Sequence, residues 1–281
     1  MRQSRQPHQK MSPFDIFKKR DEQEANMRSL QRTAKRLHYG SYQTQYHYDY
    51  LAGYRDWSSH IYNTRKFISD CARRCFGRHT CVVLGSGFCL DVPVLELSRM
   101  FDNVYLVDIT HPRRIRQRIG ETKNVQLVTE DITKIAAEAL NSINRYKDFS
   151  VDMLIHSPNY SSGNYCDTLG DFDFVISVNT LAFLAEPINA YLASVKLIND
   201  IAATTLQTFL QQYHINMLPK GKSCIITPIS QRYYNADGLQ MYDHSIAYIP
   251  ATVIRDPQSW TWNYSNDHTG RIEYGVKAWE Y

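Results

Sequence analysis

The sequence has no run of about 18 apolar residues, the length a membrane-spanning helix requires. Its N-terminal stretch is polar and lacks the apolar core of a secretory signal. No C-x-x-C pair occurs among its six cysteines (71, 75, 81, 89, 166 and 224), and no His/Cys cluster has zinc-ligand spacing. These absences exclude a spanning helix, a redox dithiol and a structural zinc site. They lead us to expect no metal, free thiols in a reducing compartment, and a cytoplasmic protein. Charge of one sign is also scarce: 32 Lys and Arg against 28 Asp and Glu leave a net charge of +4, well short of a dedicated nucleic-acid binder. The basic excess collects in the N-terminal tail (Arg2, Arg5, Lys10, Lys18, Lys19, Arg20) and in Arg113, Arg114, Arg116 and Arg118, which read first as solvated faces. No repeat, paired-carboxylate constellation, serine–histidine constellation or catalytic-cysteine motif stands out.

What is present centres on Cys81 to Ile109. Cys81–Leu84 has the length and β-branched content of a buried strand, and it breaks into Gly85-Ser86-Gly87. A helical pattern follows, with Leu90, Val94, Leu97 and Met100 or Phe101 on one face and Pro93 in its first turn. A second strand, Val104–Val107, ends at Asp108. Strand, glycine turn, helix, strand and acidic tip form a nucleotide-binding βαβ unit: glycine lets backbone approach a ligand closely, and a carboxylate can hold a ribose diol. The dinucleotide fingerprint G-x-G-x-x-G fails at its third glycine, because position 90 is leucine.

The 281 residues have room for one substantial α/β domain with additions, or for two small ones. Residues 1–56 read as a charged arm, helical in part from Asp21 to Leu37, followed by an irregular covering segment crowded with Tyr39, Tyr42, Tyr46, Tyr48, Tyr50 and Tyr54. Residues 57–281 read as the α/β domain. Ser58–Phe76 is expected to be helical, with Ile61, Arg65, Ile68, Ala72 and Cys75 on one face. A short helix should follow His111-Pro112 and close at Gly120, with a third strand at Val125–Val128 and a helix over Thr133–Tyr146. Residues 147–171 read as an inserted loop with a short strand possible at Val151–Ile155. Phe172–Val178 is a fourth strand, Pro187–His214 the longest helix, Lys222–Thr227 a fifth strand, and 228–259 a polar, tyrosine-rich insert. Trp260–Tyr264 and Ile272–Tyr281 alternate as an antiparallel hairpin.

Taken together, residues 58–281 resemble the class I (Rossmann-like) S-adenosylmethionine-dependent methyltransferases. The resemblance implies a doubly wound, seven-stranded, mostly parallel sheet with a C-terminal antiparallel hairpin, preceded here by an N-terminal extension. It implies S-adenosyl-L-methionine as cofactor, held by Gly85, Ser86, Gly87, Phe88 and Cys89 in the turn. Asp108 would bind the ribose and Asp131 the adenine amino group, with Ile109 and Ile132 as flat walls and Ser177 at the end of strand four. Asp131 can equally cap the following helix. Asn179 is the candidate for orienting the acceptor, and His111 a candidate general base. Trp57, His60 and Arg65 precede the first strand, where an arginine can pair with the methionine carboxylate. Two departures stand out. Val83 occupies the position where the family usually carries an acid that serves the methionine end, and Cys89 replaces a third small residue. Ser157-Pro158-Asn159-Tyr160 resembles the family's amino-methylating motif without its second proline, and fits only if Val151–Ile155 is strand four.

The function implied is methyl transfer to a small-molecule or protein acceptor. A nucleic-acid acceptor would use the basic arm, and the modest net charge argues against it. Val83 and Cys89 keep open a methyltransferase-like domain that works as a binding module.

Overall fold

The computed structural model describes residues 13–145, 150–156 and 171–281. Its centre is a sheet in the order β3-β2-β1-β4-β5-β8-β7, with an eighth strand, β6, paired to β5. The parallel part comprises β1 (Thr80–Leu84), β2 (Asn103–Asp108), β3 (Val125–Thr129), β4 (Phe174–Val178) and the first residues of β5 (Ser223–Asn235). β7 (Gln258–Asp267) and β8 (Gly270–Glu280) form the antiparallel hairpin, with β8 lying between β5 and β7.

The central strands are buried on both faces, so their side chains sort by parity. Val82, Leu84, Val107, Val175 and Ile225 belong to one apolar cluster. Cys81, Val83, Val104, Leu106, Phe174, Ile176, Cys224 and Ile226 belong to the other. Helices cover both sides, which makes the sheet doubly wound. With α1 (Pro13–Arg36) and α6 (Ala136–Arg145), the first cluster takes in Ala34, Leu37, Ala139 and Leu140. The second takes in α3 (Tyr54–Arg74), α4 (Val94–Met100) and α5 (Arg113–Ile119). This strand order and terminal hairpin are those of a class I methyltransferase-like fold.

Several elements differ from the sequence reading. The tyrosine-rich segment is a helix, α2 (Tyr39–Ala52), because Tyr39, Tyr42, Gln43, Tyr46 and Asp49 recur at three- and four-residue steps once polar residues count toward the face. In α3 the buried face is Trp57, His60, Thr64, Phe67, Ile68 and Cys71, leaving Arg65 exposed. Val151–Ile155 is one helical turn, α7, and not a strand, with Val151 and Leu154 buried three residues apart. The motif Ser157-Pro158-Asn159-Tyr160 and Cys166 lie outside the described residues.

The long helix is broken in two. α8 (Glu186–Ser194) ends in a turn where Lys196 takes a left-handed φ of 58°, Lys196 N–H donates to Ala193 and Leu197 N–H to Leu192. The Asn199 side chain then accepts from Ala202 N–H and starts α9 (Asp200–Met217).

Half of the 228–259 insert is sheet. β5 pairs with β4 only through Ile226, and Pro228, which has no N–H, marks a register shift against β8. Beyond it β5 continues from Ser230 with β6 (Gln240–Ser245) as its new antiparallel neighbour. No helix among the described residues is long and apolar enough to cross a membrane, and their cysteines are all free thiols.

Candidate functional site

The carboxyl ends of the parallel strands open into a cavity of about 370 Å³, within the range of small-molecule sites. Its lining comes from the turn after β1, the loops after β2, β3 and β4, and the polar face of α2. Ligands bind at this end of open α/β sheets, where the strand order reverses on either side of the first strand. A groove of about 700 Å³ at the opposite end of β4 and β5 has no such position in the fold.

The glycine turn and Asp108 meet because β1 and β2 run parallel with Leu84 beside Val107. Gly85 and Ser86 N–H both donate to the Val107 carbonyl, and Gly87 N–H donates to Asp108 Oδ2 at 2.8 Å. Gly85 has φ +71°, and a Cβ there would lie 2.0 Å from Thr180 Oγ1. Gly87 has φ +45°, and a Cβ there would meet nothing within 4 Å, so its backbone faces open space. Cys89 adopts a left-handed φ of 50° without glycine's freedom, and burial pushes its thiol up to about 12, too high to act as a nucleophile at neutral pH.

Asp108 accepts from Gln43 Nε2 of α2 at 3.0 Å as well as from Gly87. Burial raises its carboxyl from 3.8 to about 6, against the lowering effect of these hydrogen bonds. Asp131 accepts from Thr133 N–H and hydroxyl with Oδ1 and from Ala136 N–H with Oδ2, so it secures the entry into α6 while also lining the cavity. Burial again pushes its carboxyl up. Ile109 and Ile132 line the same end. Phe88 lines the cavity and stacks on His47 of α2, with centroids 4.3 Å apart. The Ser86 hydroxyl is buried without a partner.

Asn179, at the tip of β4, has a left-handed φ of 49°. Its Nδ2 lies 2.5 Å from Asp91 Oδ2 and 2.9 Å from His60 Nε2. The indole N–H of Trp260 donates to His60 Nδ1 at 3.0 Å, and burial alone lowers the imidazole to about 3, so His60 is neutral. His60 stacks on Trp262 at 4.0 Å, and Trp57 packs edge-on against Trp262 at 4.8 Å while donating to the Tyr264 carbonyl. Asn179 is thus held from behind by a rigid aromatic wall.

Three expected site residues are not brought to the cavity. Ser177 points away from it, fully buried, with Oγ 2.8 Å from His214 Nε2, because alternate residues of β4 face opposite sides of the sheet. His111 is buried beside β3 with Nε2 3.0 Å from the Val128 carbonyl, and burial lowers its pKa; it does not line the cavity. Arg65 donates to the Leu90 carbonyl at 2.6 Å and lines an outer surface groove.

Tyr39, Tyr42 and Tyr46 of the tyrosine-rich segment line the cavity, joined by residues to which the sequence assigned no site role: Gln43 and Asp49 from α2, Asp91 from the turn, and Glu186, Tyr264 and Tyr274. The helical spacing of the α2 group was visible in the sequence. Asp91 carried no local signal, since its partners are distant along the chain.

No protein-family profile matches the sequence, and no curated protein matches it. Solved structures do. A DhpI–SAM–HEP complex is 14% identical over 86% of this chain and 95% of that one, with a TM-score of 0.36. A DhpI–SAH complex is 12% identical over 89% and 95%, with a TM-score of 0.33. Burkholderia thailandensis 1,6-didemethyltoxoflavin-N1-methyltransferase with bound 1,6-didemethyltoxoflavin and S-adenosylhomocysteine is 13% identical over 85% and 89%, with a TM-score of 0.34. The fold assignment stands on the strand order.

Proposed function

We propose that this chain binds S-adenosyl-L-methionine and transfers its methyl group to a small-molecule acceptor. The observation that carries the reading is the pairing of the open Gly87 backbone with the buried Asp108 carboxylate at the strand ends. The residues present fit such a cofactor. Gly87 leaves room for close approach, the Ser86 hydroxyl lacks a protein partner, and Asp108 retains acceptor capacity beyond its donors Gly87, Gln43 and Thr110. Asp131, Ile109 and Ile132 would receive the adenine, and Asp108 the ribose diol.

When bound, the cofactor supplies an electrophilic methyl group on a sulfonium that is already an activated leaving group. The chain's contribution is then to hold and orient, which needs no strong base. Asn179, fixed by its amide donation to Asp91 and packed beside His60, would orient the acceptor beside the turn. The tyrosine face of α2 with Tyr264 and Tyr274 makes a small, aromatic enclosure, which favours a small molecule over a folded protein as acceptor.

Calorimetric titration with S-adenosylhomocysteine and with NAD tests this. Micromolar binding of the homocysteine product, absent for NAD and lost in Asp108→Ala, is the expected result. No binding by the wild-type chain would overturn the cofactor reading and leave a methyltransferase-like interaction domain.

A further inference from the structure

Arg113, Arg114, Arg116 and Arg118 lie on α5, Arg65 on α3 and Arg99 on α4, and all six are exposed. Among the described residues none of the six has a carboxylate within ion-pair distance. Lys66 and Arg73 of α3 do: Lys66 pairs with Asp70, and Arg73 with Asp70 and Glu96. Like charges gathered without partners repel one another, and an anionic partner relieves that repulsion. The net charge of the whole chain, +4, sums over paired charges elsewhere and does not describe this face.

Arg65, Arg99 and Arg118 line one groove of about 940 Å³, whose other wall is the chain from Val92 to Glu96. The α3 wall also carries Tyr54 and Tyr62, 54% and 65% exposed. Tyr54, Ser58, Tyr62 and Lys66 recur every four residues along it, and Arg65, Ser69 and Arg73 do the same. From Tyr54 to Arg73 this face runs about 28 Å. The acids in the lining are Glu96, already paired with Arg73, and Glu121. The groove stands back to back with the cavity. Arg65 donates to the Leu90 carbonyl at 2.6 Å; Leu90 and Asp91 line the cavity, while Val92 and Pro93 line the groove. The charge of Arg65 reaches Asp91 and Cys89 across this wall.

An exposed guanidinium without a carboxylate is ready to grip a phosphate through two parallel hydrogen bonds. An exposed tyrosine ring offers a stacking face to an unpaired base. A duplex keeps its base faces covered, and an acidic polypeptide has no row of flat faces to offer, so the combination fits a single strand. We propose that this face binds single-stranded nucleic acid, with Arg65, Arg99, Arg118 and the other α5 arginines on its phosphates and Tyr54 and Tyr62 against its bases. The strand is held outside the cavity, and its binding depends neither on the cofactor nor on the acceptor.

The test is fluorescence anisotropy of the full chain with a labelled oligothymidylate of about 12 nucleotides, over a series of salt concentrations. Contacts from about four arginines to phosphates give a slope of log affinity against log salt of about −3. Arg99→Ala combined with Arg118→Ala should make that slope shallower by about 1.4. Tyr62→Leu should weaken binding by about 5- to 100-fold and leave the slope unchanged, because a stacked base releases no counterion. The matching duplex should bind at least about fivefold more weakly than the strand. Both variants alter exposed side chains, and an unchanged unfolding temperature shows that they are folded. No binding of the strand at about 50 mM salt, or a slope that the arginine variant leaves unchanged, overturns the proposal. So does binding of the duplex or of polyglutamate as tight as that of the strand, which would mark a face for any polyanion.

Discussion

Replacing Asp108 with Asn should separate what this carboxylate does for a ligand from what it costs the fold. Folded Asp108 is raised from 3.8 to about 6 by burial. Below about pH 3 the folded and unfolded chains both hold the proton. As pH rises from about 4 to 6 the unfolded chain releases it first, so the folded state loses stability through this window. Above it the chain carries a buried anion, and the total loss is about 3 kcal/mol, at about 1.4 kcal/mol per pH unit. Asn does not titrate. It can accept from only one of Gly87 N–H and Gln43 Nε2, a loss of about 1 kcal/mol that does not depend on pH. The stability of Asp108→Asn relative to wild type should therefore rise by about 2 kcal/mol between pH 4.5 and pH 7.5. Urea unfolding of both chains at the two pH values measures this, and every other titrating group cancels in the difference. A difference independent of pH would refute the reasoning, since it would mean that Asp108 is not a buried, raised carboxylate.

Other substitutions divide stability from binding. Gly85→Ala should cost at least about 2 kcal/mol in thermal unfolding, from its left-handed φ and from displacement of Thr180, whose hydroxyl bonds to the Leu84 carbonyl. Gly87→Ala meets no protein atom, so it should cost only about 1 kcal/mol of stability yet weaken S-adenosylhomocysteine at least about tenfold in calorimetry. Ser177→Ala removes a buried bond to His214 and should lower stability by about 1–2 kcal/mol while S-adenosylhomocysteine affinity holds within about twofold. Asp131→Ala removes the bonds to Thr133 and Ala136 and should lower stability by about 1–2 kcal/mol. A loss of ligand affinity beyond that would assign it to the adenine as well.

Much of the parallel sheet was legible because its signals are local. A strand buried on both faces is a short apolar run, and Cys81–Leu84, Val104–Val107 and Phe174–Val178 stand out as such. The glycine turn and Asp108 follow from one parallel register, Leu84 beside Val107. Apolar spacing alone does not reveal the other faces. The faces of α2 and α3 are built in part from Gln43, Asp49, His60 and Thr64. The break between α8 and α9 rests on Lys196 in a conformation usually reserved for glycine, which composition does not announce.

The sequence by itself determined the βαβ unit, the class of fold and the acid at the tip of β2, since each depends on residues close along the chain. Only the tertiary structure decided which side chains share the cavity. Asn179 meets Asp91 across 88 positions and His60 across 119, and His60 meets Trp260 across 200. Those contacts exist because β1 lies beside β4 and α3 packs on β7. The same geometry turned Ser177 and His111 away from the cavity, because the packing of the sheet against its helices decides which side of each strand faces the cavity.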